Sequence, residues 1–196
     1  VWVVSLIRWW RVRRLRFALL SLAVLATGVL ALPGRAPDPS LLANDYARAL
    51  RRFRGVGYLW GGEGFLGIDC SGLVREGLVW GQLQHGLRTL NGTPIRDALA
   101  LWWHDCSAEA LRDGYRGWTR QLFAHRSIAE ADHTQLGVGD LAVTADGVHI
   151  LAYLGNEAWI QADPKLAQVV ELGRFSDNPW LASPVVFLRW KRLDTR

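Results

Sequence analysis

Three regimes of apolar patterning follow one another along the chain. Phe17–Leu32 is a run of mostly Leu, Val and Ala without a single charge. From Asp38 the apolar residues take up helical spacing: Leu42, Tyr46, Ala49, Leu50 and Phe53 form a stripe that predicts a helix. Asp38 suits its N-cap and Pro39 its first turn, while Arg51, Arg52 and Arg54 favour the negative end of the dipole before Gly55 stops it. Tyr58–Ile68 is glycine-dense and reads as a closely packed loop. A second helix is predicted from Cys70, with Asp69 as its N-cap, and a third over Pro94–Arg112 with Leu99, Trp102, Trp103 and Cys106 near one side. Gly114–Ala131 reads as mixed helix and loop. Beyond Gly139 the pattern changes to short strands: Leu141–Thr144, Val148–Leu154, Ala158–Ala162, Val169–Leu172 and Val185–Trp190. Asp146–Gly147 and Gly155–Asn156 supply turns between them. Helices first and antiparallel strands after predict an α+β domain, N-terminal helices packed on a sheet.

Charge changes the picture at the N-terminus. The formal net charge is +5, and Arg8, Arg11, Arg13, Arg14 and Arg16 carry that whole excess. The remainder is near neutral, so a nucleic-acid partner loses its main support. A basic segment leading into an apolar run reads as either a signal peptide or a signal anchor, and sends the residues after Pro33 out of the cytoplasm. The run is slightly short for a spanning helix, which needs about 20 residues. The expected layout is a membrane or signal helix over 1–33, a linker over 34–38 and one domain over 39–193. Within that domain a helical, tryptophan-rich insertion falls at about 85–135. The expected location is the periplasm or the extracytoplasmic face of the membrane.

The chain has two cysteines and five histidines. A cysteine hydrolase needs a thiol that ionises readily, a base beside it and a third group holding the base's ring. Cys70, in the first turn of a predicted helix, meets the first need, because unpaired N–H groups and the helix dipole favour the anion. A disulfide to Cys106 would remove that nucleophile, so Cys106 is read as a buried small hydrophobe. His149 is the candidate base, and Gln161 in the next strand can hold its ring through the side-chain carbonyl. Strand parity tests the pair. A plain two-residue loop at Gly155–Asn156 puts His149 and Gln161 on opposite faces, so the pairing requires an odd loop or a bulge, with Glu157 in a left-handed conformation. Gln161 as a plain structural amide is the competing reading. His104, Asp105, Cys106, His125 and His133 show no standard metal spacing, and Gly61–Gly67 lacks the pattern of a phosphate loop; neither metal nor cofactor is expected.

Tyr58–Leu59–Trp60–Gly61–Gly62, Asp69–Cys70–Ser71–Gly72–Leu73–Val74, Gly139–Asp140–Leu141, and His149 leading to Tyr153–Leu154–Gly155–Asn156 together resemble the NlpC family of papain-like peptidoglycan peptidases. The resemblance spans about Asp38 to Pro164. It implies a papain-like fold, Cys70 as nucleophile, His149 as base, Gln161 in the third position, and the Tyr58 hydroxyl with the Cys70 N–H on the oxyanion. The implied partner is a peptidoglycan stem peptide, cut between γ-D-glutamate and the diamino acid. Three departures stand out. Gln161 occupies a position where His is commoner. Leu151 stands where a glycine is common, which would narrow the groove. The stretch from Cys70 to His149 is longer than usual. Two rivals remain: an amidase or acyltransferase acting on another exported substrate, and a non-catalytic wall-binding module.

Overall fold

The computed structural model describes residues 13–194. Helix α1 (Arg13–Leu30) is followed by α2 (Pro39–Arg51), α3 (Cys70–Thr89) and α4 (Gly92–Trp103). The short α5 (Ala108–Arg112) leads to the strands, and α6 (Pro179–Ala182) sits between the last two. A two-residue ladder, β1 (Glu63–Gly64) with β2 (Gly67–Ile68), precedes α3. The main sheet comprises β3 (Thr119–His125), β4 (Leu141–Thr144), β5 (Ile150–Gly155), β6 (Ala158–Asp163), β7 (Gln168–Gly173) and β8 (Val185–Trp190). Its order is β3-β8-β4-β5-β6-β7, antiparallel at every pairing. Helices packed on an antiparallel sheet are the α+β architecture expected from the pattern.

The caps explain where the helices begin. Asp38 accepts from the Ser40 and Leu41 amides, and Asp69 accepts from Gly72 N–H at the start of α3. Most of helix α3 is buried, with Leu73, Val74 and Leu78 in one core beside Leu42, Tyr46 and Leu50 of α2 and Ile150, Ala152 and Ile160 of the sheet. A Cβ on Gly81 would lie 2.9 Å from the Tyr46 backbone, so glycine sets the close approach of α2 to α3. A second core on the other face of the sheet holds Leu151, Tyr153, Trp159 and Phe187 under Ile128 and Leu181. Both faces are therefore covered, and every residue of β4 is buried.

Several expectations change here. The predicted helix over Pro94–Arg112 is two helices, interrupted at 104–107 where Ser107 caps α5. Residues 119–125, read as mixed helix and loop, form the edge strand β3, so the insertion is not wholly helical. The apolar run does form a helix, but among the described residues no helix is long and apolar enough to cross a membrane. Arg8 and Arg11 lie outside the described residues. Helix α1 leaves Leu22, Val24 and Leu25 exposed, and Arg96 donates to the carbonyls of Leu30 at its end and of Leu32 just beyond it, at 2.9 and 3.1 Å.

Candidate functional site

The start of α3 is assembled by one carboxylate. Asp69 Oδ1 accepts from Gly72 N–H (2.7 Å) and the Ser71 hydroxyl (3.0 Å), while Oδ2 accepts from Gly61 N–H (2.9 Å). The aromatic-Gly-Gly loop and the Asp-Cys-Ser-Gly turn are thus tied to one another, and Gly61 needs its left-handed φ of 69°. Gly72 packs directly on the Gly62 carbonyl, where a Cβ could not fit.

Cys70 occupies the first position of α3 and is 7% exposed. The backbone N–H groups of Ile150, Ser71 and Cys70 itself favour a thiolate, yet burial outweighs them, with the Asp69 charge adding to it, and pushes the thiol up to about 11. This corrects the expectation that the helix terminus alone would lower it: desolvation of the anion is the larger effect here. The Sγ hydrogen bond goes to the Val148 carbonyl (3.9 Å), so the sulfur lies against the backbone on either side of His149 and is not bonded to the imidazole. Cys106 is likewise buried and unbridged.

His149 and Gln161 meet as strand parity required. Ala152 pairs with Ile160 and Tyr153 with Trp159, but Gly155 pairs with Ala158, so one extra residue bulges from β5. The loop itself is the two-residue Asn156–Glu157, both left-handed (φ 50° and 61°). Without the bulge the two side chains would diverge. With it, His149 Nε2 donates to Gln161 Oε1 at 2.6 Å.

Two residues that sequence reasoning missed fix this bond's polarity. Gln161 Nε2 donates to Asp163 Oδ2 (3.0 Å), and Asn178 Nδ2 donates to the same oxygen (2.7 Å). Lys165 and Leu166 amides donate to Asp163 Oδ1. An ionised carboxylate accepts only, so the Gln161 amide must turn its oxygen to His149, which then carries its proton on Nε2 and leaves Nδ1 bare. Trp180 stacks on the imidazole (centroids 4.2 Å apart, planes at 19°). Burial holds the His149 pKa below its ordinary 6.5, against the opposing pull of the Gln161 bond and the Asp163 charge. The Gln-x-Asp alternation on one strand face and the Asn-Pro helix start at 178–179 were the available signals.

Cys70 and Tyr58 line one cavity of about 310 Å³, walled by Trp60 and Glu63 on one side and Asp105, Cys106 and Glu109 on the other. Burial, and then the neighbouring Cys70, push the Tyr58 hydroxyl up. Buried Arg75 joins the two walls: it pairs with Glu63 of β1 and with Asp105 (2.8 Å), and donates to the His104 carbonyl (3.2 Å). Leu151 does not narrow this groove. It is buried in the core on the sheet's other face.

No protein-family model matches the sequence, and no curated protein matches it. Solved structures do. An NlpC/P60 family protein from Bacillus cereus matches with a TM-score of 0.50 at 18% identity over 81% of this chain and 41% of that one. NlpC2 from Trichomonas vaginalis gives 0.49 at 18% identity, over 77% and 47%. The peptidoglycan hydrolase RipB from Mycobacterium tuberculosis gives 0.45 at 24% identity, over 82% and 69%. The chain spans about two fifths of the Bacillus protein's length, and the likeness is one of fold.

Proposed function

We propose that this chain, whose fold is similar to that of NlpC/P60 proteins, is a cell-wall hydrolase and specifically a cysteine peptidase of peptidoglycan stem peptides. The observation that carries the reading is a thiol at the first turn of a buried helix, against a strand whose histidine is held with one ring nitrogen bare. In the proposed reaction the Cys70 thiol leaves the Val148 carbonyl, gives its proton to His149 Nδ1 and attacks the amide carbonyl. The Tyr58 hydroxyl and the Cys70 N–H stabilise the oxyanion. The imidazolium protonates the departing amine, a thioester remains, and water deprotonated by His149 releases the acid. Gln161 keeps the ring's tautomer throughout. The bond assigned by resemblance joins γ-D-glutamate to the diamino acid. The domain acts outside the cytoplasm, led by the basic and then apolar N-terminal segment.

Digestion of purified muropeptides with mass analysis tests this. New free amino and carboxyl ends at one stem-peptide bond are expected, and none with Cys70→Ala; cleavage by that variant would overturn the assignment. One observation favours the wall-binding alternative, namely a thiol pushed up to about 11 and unbonded to the imidazole. Labelling of Cys70 by a thiol-selective probe separates the two: an activated thiol reacts fast near neutral pH, a structural one slowly.

A further inference from the structure

A second cavity, of about 410 Å³, lies between α3, α4 and the end of β8, and shares no lining residue with the catalytic groove. Gln82 reaches it from α3, about 18 Å along the helix axis from Cys70. Gln82 is 2% exposed, yet its Oε1 has no hydrogen-bond partner among the described residues. Asp97 faces the same space. One of its oxygens accepts from Arg192 (2.8 Å), and the other, Oδ2, is buried without a hydrogen-bond partner among the described residues. Arg116 and Lys191 line the cavity with no ion pair among the described residues. Arg116 also keeps a strained left-handed backbone (φ 52°) that a glycine would relieve. Leu78, Leu101 and Trp118 complete the walls.

These features oppose stability. A leucine at position 82 would fill similar space without stranding an amide, and buried polar groups are ordinarily paired. We propose that the cavity binds a short peptide or N-acylated amino acid through its free carboxylate. The carboxylate meets Lys191 and Arg116, whose guanidinium lies over the Trp118 ring with 5.9 Å to the centroid. With the Gln82 and Asp97 side chains turned into the cavity, the ligand's backbone N–H groups donate to Gln82 Oε1 and Asp97 Oδ2, its carbonyl accepts from Gln82 Nε2, and its apolar side chains lie against Leu78, Leu101 and Trp118.

Isothermal titration of the full chain with N-acetyl-Ala-Ala tests the proposal. Saturable binding is expected, and equally in Cys70→Ala, so the outcome does not depend on the peptidase reading. The C-terminal amide of the same dipeptide should bind about tenfold more weakly, as should Arg116→Ala with the free acid. Gln82→Leu should lose about tenfold in affinity while melting at a higher temperature than the parent. Absence of saturable binding overturns the proposal, as does equal affinity for acid and amide. Full competition by inorganic phosphate at the same concentration does so too, because the cavity would then read only a charge.

Discussion

The Asp163–Gln161–His149 chain turns a symmetric-looking amide into a directional part. Because Asp163 only accepts, Gln161 can present only its oxygen to the ring, and in the proposed reaction the base is Nδ1. His149→Ala should lower kcat by about 10²–10⁴. Gln161→Ala should be milder, since it frees the ring's orientation but keeps the base. Burial holds the His149 pKa below 6.5, so the acid limb of the kcat/KM profile should fall below that value. In Gln161→Ala the limb should move further down, because the hydrogen bond that favours the imidazolium is gone; an unmoved limb would count against Gln161 as a positioning residue.

At the scale of elements, the β5–β6 hairpin decides whether the site exists. A two-residue turn alone would send His149 and Gln161 to opposite faces, and the bulge between Tyr153 and Gly155 restores them to one. Glu157 holds a left-handed φ that costs a non-glycine residue about 1 kcal/mol, and its exposed pair with Arg174 offsets little of that. Glu157→Gly should therefore stabilise the protein by roughly 0.5–1 kcal/mol in urea unfolding, with activity unchanged. The start of α3 is a second such device, where Asp69 joins the glycine loop to the helix. Asp69→Ala should cost about 1 kcal/mol from the lost cap, and should reduce turnover further by freeing Gly61 and the loop that carries Tyr58.

Across the whole molecule, both faces of the sheet are buried, and two of the histidines enclosed there resist protonation. Burial lowers the pKa of His149 and of His133, which accepts from the Trp159 indole at 3.1 Å. Each then binds fewer protons folded than unfolded between its folded pKa and 6.5. Their contribution is intact above 6.5 and is lost as pH falls through that window. The urea midpoint should drop between about pH 7.5 and about pH 5, and His133→Gln should flatten part of the drop. Arg75 acts at the same scale, because it links Glu63 before α3 to Asp105 beyond α4. Arg75→Met should leave the two walls of the groove unjoined, raising KM more than it lowers kcat.

Site and surroundings differ in how legible they are from sequence, for a physical reason. Tyr58 came from the family resemblance, whereas Cys70, His149 and Gln161 were nameable because local rules govern them: a cap before a helix, a period of two along strands, glycines where backbones must touch. The same rules located β4 and β8 to the residue, and for His149 to meet Gln161 they required an odd loop or a bulge, of which the structure has the bulge. They were silent on Asp163, Asn178, Trp180 and Arg75, whose partners lie across the fold. They mistook Thr119–His125 for mixed helix and loop, because pairing with β8 outweighs local preference there. They also assigned the thiol a low pKa from its helix position, whereas the enclosing core opposes the anion more strongly than the helix favours it. Sequence alone determined which side chains stand at helix starts and on strand faces, since those depend on neighbours a few residues away. Only the tertiary structure decided hydration, ring polarity and the second cavity, since each depends on what distant segments bring alongside.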